Sequence, residues 1–218
     1  MMELPLFPLN TVLFPGMPLH LHIFEERYKL MMNTCIENRE PFGVVLISNE
    51  VTDTNPNAEP NQIGCTAQIT QVQPLSEGRM KITAIGKDRF QIHSLDHSKP
   101  YLTGMVETLA LTEGDPQTMR MQAHQLRHRV NRYLELLKEA GQIQFQSSRL
   151  PENPQSLAYL AAVLLQTTPA QKQLLLAADD LTFLLDELQV TYGREVALLD
   201  AMLTPPDEND FRGSFSLN

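Results

Sequence analysis

The spacing of apolar residues changes once along this chain, near residue 112, and that change restricts the fold more than any other feature. Upstream the period is two. Ile63, Cys65, Ala67 and Ile69 alternate with Gly64, Thr66, Gln68 and Thr70, as expected of a half-buried strand. Met80, Ile82 and Ala84 share one face of a second such segment, Arg79 to Ile85. Ser76-Glu77-Gly78 and Gly86-Lys87-Asp88 read as turns, and Arg89 to Leu95 and Tyr101 to Leu111 as further strands. Phe42 to Ile47 is a short β-branched run of the buried-strand type. A single helix, Glu25 to Glu37, interrupts the series. Short strands separated by turns at about ten-residue spacing predict a small antiparallel barrel or sandwich.

Downstream the period is helical. Asp115-Pro116 is an N-cap followed by a proline at the first helical position. Met119, Ala123, Leu126, Val130, Tyr133 and Leu137 then form one apolar stripe, and Gly141 can end the helix. Asn153-Pro154 opens a second helix over 155–166, and Thr168-Pro169 a third to about Ala177. Asp179 or Asp180 caps a fourth, whose stripe runs from Leu181 to Leu203 before Thr204-Pro205-Pro206 stops it. The expected class is α+β: a β domain over 1–112, a helical bundle over 113–204 and a flexible tail over 205–218. No Gly/Ser-rich linker separates the halves, so the first long helix is expected to pack on the β part.

Composition narrows the function. The 218 residues carry a formal charge of −9, which disfavours a general polyanion binder. No apolar run reaches the roughly 18 residues that span a bilayer. The first residues, MMELPLFPLN, carry an acid and prolines where a leader would have positive charge and an unbroken apolar run. The expected compartment is the cytoplasm. Cys35 and Cys65 belong to no C-x-x-C pair and read as buried thiols.

Catalytic signatures do not occur. There is no G-x-x-x-x-G-K-[ST], no G-x-S-x-G, no H-E-x-x-H and no G-x-G-x-x-G. His20 and His22 share a strand face, and His124 and His128 stand at helical i, i+4, but neither pair has a third ligand nearby. The expectation is a non-enzymatic protein with no cofactor and no metal.

Two segments are candidates for binding. Arg120, Arg127, Arg129 and Arg132 lie within one helical stretch that has no acid between them. They either pair with the acidic helices downstream or form a docking patch for an acidic partner, a phosphate or RNA. At the other end, Pro5, Pro8, Pro15 and Pro18 punctuate an apolar segment that cannot be a regular helix. It reads as an edge strand, a turn at Pro15-Gly16 and a second strand. Its Leu13, Phe14 and Pro15 either belong to the core or line an apolar groove for extended polypeptide.

Leu4-Pro5-Leu6-Phe7-Pro8-Leu9, then Val12-Leu13-Phe14-Pro15-Gly16, then Leu19-His20-Leu21-His22-Ile23-Phe24-Glu25-Glu26-Arg27-Tyr28 resembles the opening of the Lon protease N-terminal domain family. Phe42-Gly43-Val44-Val45, Ile63-Gly64-Cys65-Thr66-Ala67-Gln68-Ile69 and Asp88-Arg89-Phe90 after Gly86 are similar to its later strands, in order. Leu150-Pro151 and Thr168 to Leu175 are similar to its helical part. The resemblance covers about residues 2 to 204. It implies a PUA-like β pseudobarrel followed by a helical bundle. With the sequence ending at Asn218, a stand-alone module without the ATPase and protease domains is expected, and the resemblance implies that it binds polypeptide clients or a partner protein such as an ATP-dependent protease. It carries over no catalytic residue. The expected role is client recognition or an adaptor for proteolysis, with RNA binding through Arg120 to Arg132 as the alternative.

Overall fold

In the computed structural model, which describes residues 1–47, 60–142 and 150–203, the chain begins with β1 (Met2–Leu9), β2 (Pro18–Ile23), α1 (Glu26–Asn38) and β3 (Phe42–Leu46). It continues with β4 (Ile63–Pro74), a 3-10 turn (Ser76–Gly78), β5 (Met80–Asp96) and β6 (Thr103–Thr108). Four helices follow: α2 (Pro116–Glu139), α3 (Pro154–Leu164), α4 (Pro169–Leu176) and α5 (Leu181–Leu203). The expected tail and most of the Thr52–Gln62 loop lie outside the described residues.

The strands form one sheet in the order β2-β5-β4-β3-β1-β6, and β5 also pairs with β6. That extra pairing closes β5-β4-β3-β1-β6 into a ring, with β2 laid on the first half of β5. All pairings are antiparallel except β1 with β3, which is parallel. β1 is therefore no edge strand, despite Pro5 and Pro8. Its neighbours change partway along: Met2–Pro5 pairs with β6, and Leu6–Leu9 pairs with β3. Each half is thus open on one side, where a missing N–H costs little.

A second difference concerns Gly86-Lys87-Asp88, which is not a turn. The chain passes straight through it in the 17-residue β5. Glycine is needed there for close approach rather than for turning. A Cβ on Gly86 would lie 2.2 Å from the carbonyl oxygen of Phe14. The Gly86 N–H donates to Met17 O at 2.9 Å, and the Gly16 N–H donates back to Gly86 O at 2.9 Å. The turn after Phe14 is thereby fastened to the middle of β5, and Gly16 takes the left-handed φ of 81° that this turn requires.

The helix starts follow from their caps. Asp115 accepts from the Thr118 N–H at 2.7 Å, Asn153 from the Ser156 N–H at 2.9 Å and Asp180 from the Phe183 N–H at 2.9 Å. Thr168 and Gln171 make a reciprocal capping box. α3 stops at Leu164, two residues short of expectation, because Leu165 is extended. One apolar cluster fills the barrel against α1, with Phe7, Ile23, Met32 and Phe42 among its members. A smaller cluster around Leu6, Phe90 and Val106 closes the other end. The third and largest joins α2, α3, α4 and α5 to Val12, Phe14 and Leu46 of the β part. The helices are thus seated on the barrel through continuous apolar contact.

Candidate functional site: a groove between the barrel and α3

Leu13 and Phe14 are 1% and 0% exposed, so neither is available to a client. Of the two alternatives for this segment, these side chains take the core. Leu13 packs into the barrel cluster and Phe14 into the helical one. The fastening of the Phe14–Met17 turn to Gly86 points both inward. Pro15 alone of the three stays at the surface, and it stands on one lip of a groove of about 560 Å³.

The lip on the barrel side is Pro15, Gly16, Met17 and Pro18. The opposite wall is the start and outer face of α3, with Pro151, Asn153, Gln155, Ser156, Leu160 and Val163. Tyr159 forms the floor. Its ring lies 6.4 Å from that of Phe14. Burial pushes the Tyr159 hydroxyl pKa up, while the neighbouring Arg89 cation and a hydrogen bond with Gln155 pull it down. No lining residue among the described residues carries a formal charge. The groove can therefore take an extended apolar segment by desolvation and shape, with Asn153, Gln155 and Ser156 available to backbone amides.

The α3 wall is held from behind. Arg127 reaches across from α2 and donates to the carbonyls of Leu150, at 2.9 Å, and Pro151, at 2.6 Å. The Tyr192 hydroxyl donates to Ala161 O at 2.8 Å. The Tyr133 hydroxyl accepts from the Gln166 N–H at 3.2 Å. The two tyrosines meet edge to face, 5.1 Å between centroids. Lys172, half-buried with its pKa lowered by desolvation, donates to Val163 O at 3.0 Å.

These contacts also redefine the arginine face. Arg129 donates to Gln189 O at 2.7 Å, and Arg132 donates to Asp200 at 2.6 Å with Glu135 and Glu139 nearby. With Arg127 engaged as above, three of the four arginines are occupied within the chain. Arg120 is exposed with no partner among the described residues. Of the four, only Arg120 is left without a partner among the described residues, because backbone carbonyls of α5 and of the segment before α3, and the Asp200 carboxylate, engage the others.

Arg89, which the sequence does not single out for a role, bridges barrel and helices. It is 2% exposed, and its Nη1 donates to Leu176 O at 2.7 Å and Ala178 O at 2.5 Å. Burial lowers its pKa, opposed mainly by Tyr159 and Asp179. The sequence marks it only as part of Asp88-Arg89-Phe90, a segment of the family resemblance with no role attached. Gln173 supports the same seam by donating to Ile63 O at 2.9 Å. Among the described residues, no group of three or more His, Cys, Asp or Glu is placed to hold a metal ion. No described helix is long and apolar enough to cross a membrane.

Comparison with known proteins finds relatives of the chain and of its fold. The family model of the ATP-dependent protease La (LON) substrate-binding domain matches residues 3–189. Lon protease of Paraburkholderia phytofirmans is 28% identical over 187 residues, 85% of this chain and 23% of that protein. The crystal structure of a Lon N-terminal domain protein from Xanthomonas campestris is similar with a TM-score of 0.62 and 25% identity, covering 87% of this chain and 98% of that one. The N-terminal domain of Mycobacterium avium complex Lon protease has the same fold, with a TM-score of 0.63 at 16% identity, over 88% of this chain and 98% of that one. The matched regions amount to between 13% and 24% of the length of the Lon proteases that the chain resembles.

Proposed function

The chain belongs to the LON substrate-binding domain family, and we propose that it is a non-catalytic module that takes extended polypeptide into the groove between the Pro15–Pro18 turn and α3. The observation that carries this reading is that the described residues lining a groove of about 560 Å³ are all uncharged, in a chain that is one-fifth charged. An uncharged concave surface backed by a rigid wall binds by removing apolar area from water. In such a module the client is delivered onward, so the role is recognition or adaptation for an ATP-dependent protease in the cytoplasm. Support for the client class comes from the family description, and support for the location comes from the groove.

The test uses the full chain and a fluorescein-labelled, reduced and carboxymethylated globular protein as an unfolded client, read by anisotropy. Ser156 is exposed and Leu160 half-buried on the groove wall, so Ser156→Arg and Leu160→Glu both put charge into it. Each variant is expected to weaken binding by about tenfold or more, with the melting curve of Ser156→Arg unchanged. Unaltered affinity in both folded variants would remove the groove from the mechanism.

A further inference from the structure

The outer face of β2, β5 and β4 is a second concave surface, of about 390 Å³, that shares no lining residue with the groove. Its side chains are set out by register. His20 pairs across β5 with Thr83, which in turn pairs with Gln71. His22 pairs with Lys81, which pairs with Gln73. Two rows of three polar side chains therefore stand side by side, two residues apart on each strand. His20 Nδ1 lies 3.2 Å from Thr83 Oγ1, which fixes the first row. Phe24 is 61% exposed and continues the β2 column, its ring 5.9 Å from that of His22.

The charge on this face is one-sided. The chain has 26 acids and a net charge of −9, yet β2, β4 and β5 as far as Lys87 contain no carboxylate. Lys81 is exposed and has no ion-pair partner among the described residues. Two acids at the ends of these strands, Glu25 and Glu77, are matched by Arg27 at 2.8 Å and Arg79 at 3.7 Å. In addition, among the described residues β2 is paired on one side only.

We infer that this face docks an extended polypeptide segment bearing carboxylates, with Lys81 as its charged anchor and His20, His22, Gln71 and Gln73 as hydrogen-bonding partners. Alternate side chains of an extended chain repeat at about 7 Å, the same interval that separates the two rows. A carboxylate every second residue thus meets one row and then the next. The open edge of β2 can add main-chain hydrogen bonds. A nucleic acid fits less well, because one fixed cation neutralises too few phosphates against the negative charge of the whole chain.

The experiment is fluorescence anisotropy at low salt with a labelled dodecapeptide of alternating Glu and Thr. The controls are its Gln/Thr counterpart and a twelve-nucleotide oligodeoxythymidine. Lys81→Glu and the double variant His20→Gln with His22→Gln change exposed side chains, and thermal melting confirms that they fold. The acidic peptide is expected to bind at least about tenfold more tightly than the Gln/Thr peptide. Lys81→Glu should lose about tenfold, and Leu160→Glu in the groove should lose nothing. Failure of the groove reading leaves these results unchanged. The inference is overturned if the acidic peptide does not bind, if the Gln/Thr peptide binds equally, if Lys81→Glu has no effect, or if the oligonucleotide binds more tightly than the peptide.

Discussion

Arg89 of β5 donates a hydrogen bond at 2.5 Å to the carbonyl of Ala178, 89 positions further along the chain. The same Nη1 serves Leu176 O, while Nε and Nη2 find no partner among the described residues. The link is therefore charge-assisted but incompletely satisfied. Arg89→Met is expected to destabilise the fold by about 2 kcal/mol, since two carbonyls lose a cationic donor. Arg89→Ala should cost more, because it also leaves a cavity. Urea denaturation measures both. A midpoint for Arg89→Met at or above wild type would mean that desolvating the guanidinium outweighs its two bonds.

Gly86→Ala should destabilise by about 2–4 kcal/mol, read in the same denaturation series. The added methyl meets the Phe14 backbone oxygen at 2.2 Å, and a carbonyl in a fastened turn cannot swing aside as a flexible side chain would. The same variant should weaken client binding, because the displaced turn carries the lip Pro15–Pro18.

The arginines of α2 should separate by environment. Arg132 lies in an exposed network with Asp200, Glu135 and Glu139, so Arg132→Ala should cost less than about 1 kcal/mol, and added salt should shrink that difference. Arg127 is half-buried and clamps two carbonyls, so Arg127→Ala should cost about 1–3 kcal/mol and show little response to salt. Equal costs would contradict the clamp.

Burial raises both thiols, Cys35 to about 11 and Cys65 to about 12. A native-state pKa above the unfolded one means that the unfolded chain releases its thiol protons first as pH rises. The stabilisation is complete below the unfolded thiol pKa near 8.5 and is drained as pH climbs toward the native values. Unfolding free energy should therefore fall above about pH 8.5, by at most about 1.4 kcal/mol per pH unit for each thiol. Cys65→Ala should flatten that slope, and alkylation at neutral pH should require denaturant.

Legibility tracked the range over which the cause acts. Each Asx-Pro or Thr-Pro start was readable because cap and proline act within one helical turn, and Asp115, Asn153 and Thr168 all cap as their neighbours dictate. Gly86-Lys87-Asp88 misleads because its composition is that of a turn, whereas its cause is the Phe14 carbonyl, 72 residues earlier in the chain. The prolines of β1 mislead for a related reason: its partners change midway, which only the assembled sheet reveals. Within the site, Pro15 was legible as part of an apolar turn. The α3 wall was not, because α3 is apolar on nearly every side and the outward face is decided by Tyr192, Tyr133 and Arg127 from other helices.

The placement of β1 also constrains how the chain is made. Its first half waits for β6 at Thr103–Thr108 and its second half for β3 at Phe42–Leu46. During synthesis β1 precedes both partners and is thus among the last of these strands to be fully paired. For that interval Leu4, Leu6 and Phe7, all buried in the finished molecule, are exposed on an unpaired apolar strand. The exposure of these three side chains ends only when residues 103–108 have been made and paired.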